Sequence, residues 1–195
     1  MHAQVRPMIK PALALTHRVA NRGRAFTILE LLVVLVIISI IASMMLPVYS
    51  SYVARMEESR CIANLHNLYV AASGYLQANG SWPQIPVTLI KDDKTLYAKT
   101  WVATLQPYGA SHSVWICPTI QRTMGISMDA LEKDENYRID FIAAPFNDNP
   151  MTPRLAGTHP WFVEKAGVHS RGNLLILANG STTSLQDLTG VPPNR

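Results

Sequence analysis

Acidic residues are absent from the first 25 positions, although that stretch carries Arg6, Lys10, Arg18, Arg22 and Arg24. Those five supply the net charge of +4, and beyond them acids and bases nearly balance. A basic nucleic-acid-binding face is therefore not expected in the body of the chain. Cysteine is scarce: Cys61 and Cys117 are the only two, and neither belongs to a CxxC pair. That excludes a multi-disulfide scaffold, and no His/Cys spacing reads as a zinc module. The pair is either one disulfide, which an exported domain permits, or two lone buried thiols. No glycine-rich phosphate loop, Ser-His-Asp arrangement or paired-carboxylate setting stands out, so no catalytic residue is assigned. Trp82, Trp101, Trp115 and Trp161 are scattered without a basic patch. They read as core or interface residues rather than base-stacking platforms.

What the chain does have is one long apolar run, Phe26–Leu46, broken only by Thr27, Glu30, Ser39 and Ser43. At about 1.5 Å per residue it spans about 30 Å, the hydrocarbon thickness of a bilayer. Basic residues flank it on the N-terminal side, which puts the N-terminus in the cytoplasm and Tyr49 onward outside. A cleaved secretory signal fits poorly, because the run is long and no clean small-x-small site follows. Glu30 is the anomaly, since an ionisable group inside such a run needs a partner.

Past Pro47, apolar residues recur at helical spacing: Ile62, Leu65, Leu68, Tyr69, Ala72, Tyr75 and Leu76. The spacing predicts a continuation of the same helix, with a kink or local unwinding at Pro47 and an end at Asn79-Gly80 before Pro83. Beyond Pro83 the chain reads as mostly strand and loop. "SVWICP" reads as a strand stopped by Pro118, and "NYRIDFIAAP" as a strand alternating Tyr137, Ile139 and Phe141 against Arg138 and Asp140. Leu174–Ala178 and Ser181–Leu185 flank Asn179-Gly180, which predicts a hairpin closed by a type I′ turn. The expected architecture is α+β, a long helix laid across a small antiparallel sheet. Its divisions are a basic leader (1–25), a membrane-spanning helix (26–46), an amphipathic continuation (47–80) and a β-rich domain (81–195).

The stretch "AFTILELLVVLVIISIIASMMLP" resembles the N-terminus of type IV pilins and of the pseudopilins of type II secretion. The resemblance implies a leader removed by a prepilin peptidase between Ala25 and Phe26, and methylation of the new amine of Phe26. Most members have glycine before the cut, so Gly23 marks an alternative site; cleavage at Ala25 keeps the family's Phe-to-Glu spacing. Glu30 then sits where the family's assembly carboxylate sits, able to meet a neighbouring subunit's N-terminus. Pro47 falls where the family commonly has a proline. "SRCIANLHNLYVAASGYLQANGSWP" and "VWICPT" are similar to passages of one pseudopilin-like subgroup, which implies a Cys61–Cys117 bridge. "HSRGNLLILANG" resembles that subgroup's His, nine residues, Asp-Gly signature, with His169 and Gly180 in place and Asn179 where the acid stands. His169 itself reads as a hydrogen-bonded structural residue.

The implied function is a pseudopilin, a structural subunit of a type II secretion-like filament rather than an enzyme. Its partners would be copies of itself, other pseudopilins, the inner-membrane assembly platform and the lipid bilayer, with no nucleic acid. It would sit in the inner membrane as a single-pass protein with a periplasmic domain. The alternatives are a type IV pilin or minor pilin for adhesion, motility or DNA uptake, and a membrane-tethered enzyme or binding module with a site around His169. No cofactor is assigned. Major pseudopilins bind calcium, and Asp187 and Asp148 are oxygen donors, but their spacing matches no calcium loop.

Overall fold

A segment with apolar residues all round and a segment with one apolar stripe follow each other on a single helix, α1 (Ile28–Asn79). The structure is a computed structural model describing residues 26–133, 135–146 and 157–190, the side chains of Leu46 and Pro47 excepted. The leader with Gly23 and Ala25 lies outside these residues, as does Asp148. The chain divides into two compact units, one ending at Met45 and the other beginning at Leu46. In the first, α1 starts at Thr27, whose carbonyl accepts from the Leu31 amide at 3.2 Å and whose hydroxyl accepts from the Glu30 amide at 3.2 Å. Thr27 with Glu30 three residues on is the pattern of a capping box, a strong helix start. Helical conformation continues through Pro47 without the unwinding that the proline suggests.

In the second unit the expected stripe faces inward: Cys61, Leu65, Leu68, Ala72 and Leu76 are buried, with Ile62, Tyr69 and Tyr75 packed beside them. The helix stops at Asn79 because Gly80 turns left-handed at φ 74° and donates back to the Leu76 carbonyl at 2.9 Å, the usual glycine ending.

The stretch after Pro83 is more helical than its sequence suggests. It forms α2 (Leu89–Asp92), α3 (Lys94–Leu105), α4 (Pro118–Met124) and α5 (Met128–Leu131) before any strand. Asp93 caps α3 by accepting from the Leu96 amide at 2.8 Å. "SVWICP" is not a strand: His112–Trp115 is a 3₁₀ turn, and Pro118 opens α4 rather than stopping a strand. Proline's fixed φ and missing N–H suit the first helical turn. Four strands follow, β1 (Phe141–Ala143), β2 (Pro160–Glu164), β3 (Leu174–Leu177) and β4 (Thr182–Ser184), paired antiparallel in sequence order, and α6 (Leu185–Thr189) closes the described chain.

Two strand expectations change. β1 covers only Phe141–Ala143, and Asp140 is buried, not solvent-facing. It turns inward because its carboxylate accepts from the Cys117 amide at 2.9 Å and pairs with Arg138 at 3.2 Å. The β3–β4 hairpin exists, but its turn is not type I′. Asn179 does not have positive φ, whereas Gly180 does, at 81°. The Gly180 amide donates to the Leu177 carbonyl and the Leu177 amide to the Ser181 carbonyl, both at 2.9 Å. That is a three-residue loop ending in a left-handed glycine, the next most common hairpin closure.

The four tryptophans are all buried in one aromatic core. Trp82 lies 5.1 Å from Trp161 and 5.8 Å from Phe162, and Trp115 lies 5.6 Å from Phe162, centroid to centroid. Tilted and edge-on pairs at these separations add to the area they bury.

Candidate functional site

From Phe26 to Met45 every residue of the first unit is exposed, including Ile28 at 87% and Leu35 at 56%. A continuous apolar surface of this kind is not tolerated in water and marks a lipid or protein contact. The segment is chemically prepared for a non-aqueous setting. Ser39 donates its hydroxyl to the Leu35 carbonyl and Ser43 to the Ile40 carbonyl, each at 2.7 Å. With backbone groups satisfied inside the helix, little polarity is left to desolvate. Glu30 is the exception. From Phe26 to Ala54 the sequence contains no Lys, Arg or His, so its carboxylate has no basic side chain of this helix to pair with for six turns.

The second unit holds a different cluster. Cys61 on α1 and Cys117 at the start of α4 are joined by a disulfide, with Cα atoms 5.4 Å apart. His169 Nε2 lies 3.6 Å from Cys117 Sγ and 3.2 Å from Glu164 Oε1. The side chains of His169 and Glu164 are 2% and 0% exposed. The other Glu164 oxygen accepts from the Leu174 amide at 3.3 Å. The sheet explains the placement: Glu164 ends β2, Leu174 begins β3, and the connection between them carries His169, whose carbonyl accepts from the Gly172 amide at 2.9 Å. Next to this cluster, Asp140 is pushed above the usual carboxylate range by burial, against the Cys117 amide and the charges of Arg138 and Lys165. Burial lowers Lys165, which Asp140 opposes.

Three of the residues singled out in sequence, Cys61, Cys117 and His169, thus meet, and Glu164 completes the group unforeseen. Its signal was only a glutamate at the end of a strand. Asn179 and Gly180 lie elsewhere, at the hairpin tip. There the Tyr69 hydroxyl donates to the Ala178 carbonyl at 3.2 Å, and the Tyr69 ring lies 3.3 Å from where a Cβ on Gly180 would stand. Asp187 pairs with Arg171 at 3.0 Å and follows the Ser184 cap of α6.

Residues 20–46 match the family model described as the prokaryotic N-terminal methylation motif. Over 61 residues the chain is 34% identical to a type IV major pilin protein of Neisseria gonorrhoeae, covering 31% of this chain and 37% of that protein. It is 35% identical over 60 residues to a fimbrial protein of Neisseria meningitidis serogroup B, covering 31% and 35%. A fimbrial protein of Eikenella corrodens is 38% identical over 60 residues, covering 31% and 39%. The chain thus spans little more than a third of the curated relatives it matches. No solved structure matches significantly.

Proposed function

We propose that this chain, whose N-terminal segment is that of the type IV pilin and pseudopilin superfamily, is a structural subunit of a type IV pilin-like filament. The carrying observation is the exposed apolar helix with a single acid in its first turn. Such a surface needs lipid around it before assembly and other apolar helices around it afterwards.

Removal of residues 1–25 by a prepilin peptidase would leave an amine on Phe26, one helical turn before Glu30. That amine, methylated or not, is the one cation the mature helix supplies at this level. In a filament the Glu30 carboxylate takes the Phe26 ammonium of a neighbouring subunit. A register error would strand both charges at low dielectric, where an unpaired ion costs several kcal/mol, on the order of the penalties for buried ions. The pair therefore selects register as well as adding attraction. Cleavage after Gly23 would move the amine two residues further away and weaken this account. Pro47 leaves the helix one backbone donor short, where an assembled subunit can extend.

The chain is anchored in the inner membrane by Phe26–Leu46, N-terminus cytoplasmic, with residues from 47 onward on the periplasmic side. It is drawn from there into the filament by an assembly platform. Relatives named as major pilin and fimbrial proteins favour a pilus subunit over a secretion pseudopilin. The secretion reading keeps one observation of its own, the Cys61-to-Pro83 passage and the Cys117-Pro118 pair that resemble a pseudopilin-like subgroup.

The deciding experiment replaces Phe26–Leu46 by an unrelated apolar helix of equal length. The expected result is a membrane-inserted monomer with no filament in sheared or extracted fractions. Normal filaments from that chimera would sink the role given to this helix, whereas function kept with no filament formed would favour a tethered enzyme or binding module. Deleting the gene then separates the two filament readings: loss of surface fibres supports the pilus, and loss of exported protein with fibres intact supports the secretion system.

A further inference from the structure

Cys61, Cys117, Glu164 and His169 present one ligand atom each, all within 4.8 Å of one another and all buried. Two sulfurs, an imidazole nitrogen and a carboxylate oxygen form the donor set of a tetrahedral zinc-class site. Bonds of about 2.0–2.3 Å in such a site separate its ligands by about 3.3–3.8 Å, so side-chain adjustments of about 1 Å would close the quartet on an ion.

From these contacts we infer that the dithiol form of this chain, the form in which it is synthesised, binds one thiophilic divalent cation at Cys61, Cys117, Glu164 and His169. A second observation points the same way. Glu164 Oε1 is fully buried and makes no hydrogen bond, having only the His169 ring at 3.2 Å. A buried carboxylate oxygen left in this way is costly unless a cation meets it. Its partner oxygen is already oriented by the Leu174 amide, the kind of outer contact that fixes a metal ligand. A cleft lined by Ser51, Arg55, Glu58, Arg122 and His169 lies beside the cluster.

The ion and the disulfide are alternatives, because both use the two sulfurs. Each staples α1 to the start of α4, and the ion adds β2 and the β2–β3 connection to the staple. Binding displaces the two thiol protons, so the affinity rises with pH. No redox step is needed, since the thiols precede the disulfide.

The test uses the full chain in detergent, reduced with a phosphine and kept anaerobic, titrated with Co²⁺ and then Zn²⁺. One Co²⁺ per chain with sulfur-to-cobalt charge-transfer absorption, displaced by Zn²⁺, is expected. The oxidised chain should show none. Cys61→Ser should abolish the charge-transfer band of two thiolates, and Glu164→Gln and His169→Gln should each weaken binding at least about tenfold. The inference is overturned if the reduced chain with native circular dichroism gives no such band. It is equally overturned if Glu164→Gln and His169→Gln bind as the parent does. A reduced chain that loses its fold and does not regain it with Zn²⁺ also overturns it.

Discussion

Leu35 and Leu68 sit on the same helix, yet the first is 56% exposed and the second fully buried. Before Met45 apolar residues cover every face of α1, and they are exposed. After Leu46 they are confined to one stripe, and the stripe meets tryptophans, α3 and the sheet. The difference shows two uses of hydrophobicity. One half is an apolar surface left open, the kind that marks a lipid or protein contact. The other half is an apolar stripe spent on the chain's own core.

Four changes, the second a matched pair of substitutions, would break or sharpen this contrast. The largest effect is expected from Glu30→Ala. It should leave membrane insertion and the melting of the soluble part unchanged while filament assembly is lost, scored by electron microscopy of sheared material. Normal incorporation of the variant would remove the assembly role from this residue. Next, Leu68→Ala should cost about 2–5 kcal/mol through lost burial and the cavity left behind. Leu35→Ala should leave the thermal melt of the detergent-solubilised monomer unmoved; equal shifts for the two would erase the distinction.

The third change uses a titratable group on the buried side. Burial raises the Tyr97 phenol from 10.0 to about 12, opposed by the nearby Trp101 side chain and Ala143 backbone. The folded state thus holds a proton that the unfolded state releases first. The associated stability is intact below pH 10 and falls as the pH rises toward 12, by about 3 kcal/mol for a two-unit shift. Denaturant melts across that range should show the fall in the parent and lack it in Tyr97→Phe. The smallest effect belongs to the hairpin tip. Gly180→Ala should cost about 1–2 kcal/mol, because an L-residue resists the left-handed conformation and the new Cβ presses on the Tyr69 ring. An unchanged melting temperature would mean that the loop rearranges freely.

Local patterns were legible wherever a single stretch carried the information. The inward stripe from Leu65 to Leu76, the stop at Gly80 and the β3–β4 hairpin follow from spacing and glycine placement. α3 carries helical spacing in Tyr97, Ala98, Trp101, Val102 and Leu105 and a capping aspartate, Asp93, a signal the strand-and-loop expectation does not use. Pro118 reads as a terminator in the sequence and is an initiator in the structure, and both uses of proline obey the same constraint on φ. The turn at Asn179-Gly180 has the three-residue form, and Tyr69, stacked on Trp161 with ring centroids 4.9 Å apart, donates its hydroxyl to the Ala178 carbonyl there. Such packing chooses between turns that the dipeptide alone allows.

The candidate sites divide the same way. The sequence alone determines the long apolar helix and the lone acid within it, because hydropathy and the absence of basic residues from Phe26 to Ala54 are properties of one continuous segment. Only the tertiary structure decides that Cys61, Cys117, Glu164 and His169 meet. They come from α1, the start of α4, the end of β2 and a loop, separated by up to 108 positions along the chain. No spacing rule links residues so far apart; the antiparallel return of β2 and β3 onto α1 does.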